Sequence, residues 1–171
     1  MAKNLSFRTV RSRDNAFLLA LFSSARKKEL DSLKWDACRR QTFLEMQFQA
    51  QQSHYQENFP SRDHRIVLLD KRPIGITDIA RDEKEIRVLD IILKPENRNK
   101  GIGTTLMQAI LDEADQSGMA VRLYVEKFNP AISFYRRLGF TVIGDTGVHS
   151  HMERLPATGY NPPGNLKAAG E

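Results

Sequence analysis

The sequence predicts a mixed α/β domain, α+β in its sheet, ordered β-α-α-β-β-β-α-β-α-β-β. Three observations predict it. Two helical segments come before any cluster of strand signals. Three strand signals then follow with only four-residue links, which reads as an antiparallel meander. Finally, the strand–helix–strand pieces over residues 86–125 and 120–144 are long enough to be crossovers, so part of the sheet is expected to be parallel.

Phe7–Val10 is the first strand. Asp14 is placed to cap a helix from Asn15 to about Arg26, with Phe17, Leu18, Leu21 and Phe22 on one face. A linker, residues 26–35, leads to a second helix capped by Asp36 and ended near Glu57 by Pro60. Arg65–Leu69, Ile74–Ala80 and Glu85–Leu93 are the meander, separated by the turn clusters Asp70–Pro73 and Arg81–Lys84. Gly101 opens a helix with Leu106, Ile110, Leu111 and Ala114 at helical spacing, and Gly118 closes it. Met119–Val125 is a strand. Pro130–Leu138 is a short helix with proline in its first turn and Gly139 just past its end. Phe140–Gly144 and Val148–Leu155 form a last hairpin. One domain is expected over residues 1–155, with 156–171 a disordered Pro/Gly-rich tail.

Composition narrows the function. The longest apolar run, Ala16–Phe22, is far below the roughly 20 residues that span a bilayer. The N-terminus has no signal-peptide core, so a cytoplasmic protein is expected. The one cysteine, Cys38, excludes an intrachain disulfide and is read as a core thiol. The net charge is +5, and ten bases against four acids fall in residues 1–40. Such an end attracts polyanions or acidic substrates, but no aromatics alternate with the bases as single-strand binding needs. No nucleic-acid motif is present.

The stretch Asp90–Thr104, DIILKPENRNKGIGT, runs from a buried strand through a turn into a helix start. A helix N-terminus offers unpaired N–H groups and partial positive charge, and glycines let an anion come close. Arg98, Asn99, Lys100, Gly101, Ile102, Gly103 and Thr104 therefore read as a pyrophosphate cradle. It is not a Rossmann fingerprint, because Leu106 stands where the third glycine belongs. It is not a P-loop, because Lys100 precedes the glycine. The second stretch, EKFNPAISFYRRLGF from Glu126 to Phe140, puts Tyr135 on the short helix.

Taken in order, the two stretches resemble the GCN5-related N-acetyltransferase (GNAT) superfamily. Arg98-Asn99-Lys100-Gly101-Ile102-Gly103 is similar to its acyl-CoA loop, and Asn129 through Ala131, Tyr135, Gly139 and Phe140 to its downstream pattern. Residues 5–155 are covered. Within the superfamily the chain more closely resembles uncharacterised bacterial members with an extended second helix before the meander.

The resemblance implies the GNAT acyl-CoA N-acyltransferase fold, with a sheet splayed at the fourth strand. It implies acetyl-CoA as acyl donor, no metal, and direct attack of an acceptor amine, from a small molecule or a peptide, on the thioester. Pantetheine is expected beside Ile91, Ile92 and Leu93, with a backbone N–H there holding the carbonyl oxygen. The pyrophosphate is expected on Asn99–Thr104, and Asn129 on the pantetheine arm or its loop. Tyr135 matches the acid that protonates the leaving thiolate. The position of the base used by some relatives is Arg87 here. Asp90 is then either the base or a buried structural acceptor, and Glu126 is a further carboxylate at the acceptor site. His149 and His151 share one face of the last strand but lack a third metal ligand. The basic 26–35 linker suggests an acceptor amine that also carries an acidic group. A homodimer is compatible with the resemblance. Two other classes are a non-catalytic acyl-CoA sensor and a basic nucleic-acid-associated protein, though retention of Tyr135 argues for catalysis.

Overall fold

The computed structural model describes residues 4–157. All but the first two residues of the expected tail lie outside them. The strands are β1 (Leu5–Thr9), β2 (Asp63–Leu69), β3 (Arg72–Arg81), β4 (Glu85–Leu93), β5 (Ala120–Glu126), β6 (Thr141–Asp145) and β7 (His149–Arg154). The helices are α1 (Asn15–Ala25), α2 (Lys27–Asp31), α3 (Ala37–Asn58), α4 (Ile102–Ser117) and α5 (Ala131–Arg137). The strands make one mixed sheet in the order β1-β2-β3-β4-β5-β7-β6. The chain groups into two compact units. Among the described residues, one takes 4–80 plus Leu89–Gly103, the other Arg81–Val88 plus 104–157. β4 contributes to both.

In the first unit β2 pairs antiparallel with β1 and with β3, and the β2–β3 register shifts between Val67 and Leu68. α1 and α3 close over this sheet because their apolar stripes meet Ile66 and Ile76. The core is Leu18, Leu21, Phe22, Leu30, Leu44, Phe48, Ile66 and Ile76. Phe22 meets Phe48 edge-on at 5.5 Å, an arrangement that contributes about 0.5–1.5 kcal/mol beyond burial. Asp36 caps α3 as expected, accepting from the Arg39 N–H at 2.8 Å. Asp14 stands at the start of α1 but does not cap it. Its carboxylate accepts both terminal nitrogens of Arg8 at 2.8 Å and the Arg11 N–H. The bidentate guanidinium is the stronger partner, and it holds the Asp14 carboxyl well below the usual range.

Two other expectations fail here. The 26–35 linker contains α2, anchored by fully buried Leu30 and a Lys27–Asp31 pair at 2.8 Å. Five residues are too few to show a period. Several of its bases are also engaged: Arg26 lies over the Phe22 ring at 3.7 Å, while Arg40, just beyond, pairs with Asp31. Cys38 is exposed, not a core thiol. It sits on the first turn of α3, off the Leu44–Phe48 stripe.

In the second unit Glu85–Val88 of β4 pair in parallel with β5, from Glu85↔Ala120 to Val88↔Leu123. β7 pairs antiparallel with both β5 and β6. The parallel crossover through α4 is therefore present. The one through α5 does not give a neighbouring pair, because the β6–β7 hairpin places β7 between β5 and β6. α4 carries the period seen in the sequence, burying Ile102, Leu106, Met107, Ile110, Leu111 and Ala114. Gly118 ends it with φ +67°. Pro130 occupies the cap position before α5 instead of its first turn.

Candidate active site

The turn between β4 and α4 is built by short backbone bonds. Lys94 N–H donates to the Ile74 carbonyl at 2.8 Å, and Asn97 and Arg98 donate back to Lys94 and Pro95. Arg98 clamps the turn from its side chain. Its Nε donates to the Leu93 carbonyl at 2.9 Å and its Nη2 to Ser24 Oγ at 3.1 Å. Asn99 and Gly101 are both left-handed, with φ +57° and +80°. Asparagine and glycine are the residues that adopt this conformation at least cost. Ile102 is buried and pins the first turn of α4, while Asn99, Lys100, Gly101 and Thr104 are exposed. A Cβ placed on Gly103 would meet nothing within 4 Å. The arrangement is an exposed, cationic helix start with room for an anion to approach.

Ile91 and Ile92 are partly buried and Leu93 is buried, on the half of β4 that belongs to the first unit. Gly75 of β3 lies hard against this strand. A Cβ there would fall 2.3 Å from the Ile92 carbonyl oxygen and 2.8 Å from Leu93 Cδ2. Sequence reasoning missed Gly75, although an interior strand glycine is a signal of close backbone approach.

Asp90, itself half-buried, belongs to a polar group around buried Asp78 that the sequence only half reveals. It shares a cavity of about 10 Å³, room for one water-sized group, with Asp78, His64, Gln51 and Gln52 and apolar side chains of the core. Asp78 is 1% exposed. Its Oδ2 accepts from Arg62 Nε at 3.0 Å and lies 3.9 Å from His64 Nε2. Asp78 Oδ1 and His64 Nε2 are buried without a hydrogen-bond partner. Tyr55 donates to the Leu89 carbonyl at 3.4 Å and also faces Asp90.

Burial first, and then the charge of Asp78, raise the Asp90 carboxyl to about 7. Burial raises Asp78 to about 6 in spite of Arg62. Burial and the Arg62 charge lower His64 to about 4, so its ring is neutral. Asp78 had a readable signal, since it sits in the apolar run of β3 as Asp90 does in β4. His64 and Arg62 had none, because their partners are remote in sequence.

The remaining expected residues lie in the second unit. Glu126 is exposed at the end of β5, opposite His149. Asn129 Oδ1 accepts the Ala131 N–H at 2.9 Å, so this side chain organises the start of α5. Tyr135 is half-buried, with its ring edge-on to Phe140 at 5.7 Å and tilted to Phe134 at 5.4 Å. Arg87 is tied to Glu85 at 2.7 Å. His151 stacks on Tyr124 at 4.3 Å. No cluster of three or more metal-ligating side chains occurs among the described residues, and none of their helices is long and apolar enough to cross a membrane.

Residues 25–157 match the family model of the acetyltransferase (GNAT) domain. A segment is 28% identical over 86 residues to the N-acetyltransferase 9-like protein of Schizosaccharomyces pombe. That match covers 43% of this chain and spans 40% of the length of the relative. The fold is similar to the PaiA N-acetyltransferase of Thermoplasma acidophilum, solved with coenzyme A, at TM-score 0.65 and 22% identity over 89% of this chain and 99% of that one. It is also similar to the ribosomal-protein-S18-alanine N-acetyltransferase of Escherichia coli, at TM-score 0.58 and 15% identity over 92% and 98%.

Proposed function

Because this chain belongs to the GNAT acetyltransferase family, we propose that it moves an acetyl group from acetyl-CoA to the amine of a small molecule or peptide. The observation that supports this most is the turn after β4. Left-handed Asn99 and Gly101 lead into the exposed start of α4, and open space lies beside Gly103. These residues fit a pyrophosphate, which takes N–H donors and positive charge without a side chain in the way. Asn99, Lys100, Gly101, Ile102, Gly103 and Thr104 hold it, and Arg98 keeps the turn in place from behind. The backbone of Ile91–Leu93 lines the acyl arm, and Asn129 orders the loop before α5.

Acetyl-CoA supplies the activated acyl carbon. The chain positions the amine, removes its proton and returns one to the sulfur. The amine nitrogen bonds to the carbonyl carbon, the C–S bond breaks, the Tyr135 hydroxyl protonates the thiolate, and the second proton lost from nitrogen restores that hydroxyl. Asp90 is the base we favour over Glu126. A carboxyl titrating at about 7 can accept an ammonium proton near neutral pH, whereas Glu126 is exposed. We place the reaction in the cytoplasm, in keeping with a single cysteine.

Calorimetry with acetyl-CoA tests the reading, with desulfo-CoA and ATP as comparators. Micromolar binding is expected, and Arg98→Ala plus Gly103→Trp should abolish it. A primary-amine panel (lysine, spermidine, short peptides) then follows acetyl transfer. Tyr135→Phe should slow transfer about 10²-fold or more while binding is kept. A folded protein that binds no acyl-CoA would sink the proposal.

A further inference from the structure

We propose that Asp78 is a positioning residue for acetyl transfer: it lines the same water-sized cavity as Asp90, and the two carboxylates take up the acceptor's proton as one unit. The inference deepens the transferase reading and rests on Asp90 as its base.

The geometry is unusual for a merely structural ion pair. A buried Asp–Arg pair is stable when both carboxylate oxygens are satisfied. Here Arg62 engages only Oδ2 of Asp78. The other oxygen, with 1% of its residue exposed, has no hydrogen-bond partner, and neither has His64 Nε2. Asp78, His64 and Asp90 all line the same water-sized cavity.

Counting charge around it is decisive. From the end of α1 comes Arg26, from α3 Tyr55 and the neutral Gln51 and Gln52, from the turn before β2 Arg62. From β2 come Asp63 and neutral His64, from β3 Asp78, from β4 Asp90. Two guanidinium groups, Arg26 and Arg62, thus act on three carboxylates, of which Asp78 is buried and Asp90 half-buried. Burial is the first reason that Asp90 holds a proton, and the charge of Asp78 adds to it, so a single added proton relieves both. In the transfer step the nitrogen–carbon bond forms and the carbon–sulfur bond breaks. The ammonium proton goes to the Asp78/Asp90 pair, the thiolate takes its proton from Tyr135, and the second proton lost from nitrogen as the amide forms restores the Tyr135 hydroxyl. His64, being neutral, adds no charge of its own. The arrangement uses β2 and β3 as well as β4, so the groups that tune the base come from three strands.

The test is a pH titration of the full chain labelled at the aspartate carboxyl carbons, read by NMR. In the wild type the Asp90 signal should titrate near neutrality. In Asp78→Asn its midpoint should fall by about one pH unit or more. The acid limb of kcat/KM, measured with the best amine of the panel, should fall with it. A structural role for Asp78 would change stability and leave that limb in place. If Asp78→Asn does not fold, Arg62→Gln serves instead and should move the Asp90 midpoint upward. An Asp90 midpoint in the ordinary carboxylate range, or one unmoved by these changes, would overturn the proposal. So would an NMR shift without a matching shift in kcat/KM. Coupling seen by NMR in a protein that transfers to no amine would instead remove the transferase reading, and with it the catalytic use of the pair.

Discussion

Asp90 shows how one side chain carries several levels of argument. As a residue in an apolar strand it had to be paired or functional. Burial, and then the charge of Asp78, make it both basic and costly. A carboxyl raised in the folded state binds protons that the unfolded chain has already released. Between the unfolded value of about 4 and the folded value of about 7, stability therefore falls as pH rises. Asp78, raised to about 6, acts in the same direction. Asp14 acts in the opposite direction: held low by Arg8, it contributes stability that is lost as pH falls through the acid range. We expect wild type to lose thermal stability from pH 5 to 8 relative to Asp90→Asn, measured by calorimetric melting. Parallel curves would show that Asp90 titrates alike in both states. The same substitution should lower kcat/KM for acetyl transfer by about 10²–10⁴-fold.

At the scale of elements, two glycines have opposite meanings. Gly75 lets β3 approach β4 where Ile92 and Leu93 lie. Gly75→Ala puts a methyl group into a backbone oxygen, so we expect a loss of about 1–3 kcal/mol in denaturant unfolding and weaker acetyl-CoA binding. Gly103 sits in the first turn of α4 with open space around it. Gly103→Ala should stabilise the fold by up to about 0.5–1 kcal/mol, through helix propensity, and still weaken acetyl-CoA binding. Stability and affinity changing in opposite directions would mark the cradle as a site; affinity unchanged would argue against it. The same scale explains which elements were readable. α3, α4 and the meander were legible because a cap or a long period marks them. α2 was not, since one buried leucine in five residues makes no pattern.

For the whole molecule, the basic N-terminal end offers the clearest expectation. Arg8, Lys27 and Arg40 are paired with Asp14 and Asp31 within the first unit. Their charge is partly neutralised internally, so nucleic-acid binding should be weak and non-specific. Anisotropy with a labelled duplex should give a log K against log salt slope shallower than about −3. A steeper slope with tight binding at physiological salt would revive the nucleic-acid reading.

By itself the sequence determined the order of the elements other than α2, the turn from Arg98 to Thr104 that leads into α4, and the place of Tyr135 on its short helix. These rest on local signals: turn residues, caps, periodic apolar positions and two motifs within single stretches of chain. It also marked Asp90, by placing an acid in an apolar strand. Only the tertiary structure decided that β7 separates β5 from β6, that Cys38 faces solvent, and that Asp14 serves Arg8 instead of α1. Only it brought His64, Asp78 and Asp90 to one cavity. The physical reason is range. Periodicity and capping act over a few residues, whereas a buried charge takes its character from groups that lie on other strands and helices and meet it only when the chain has folded.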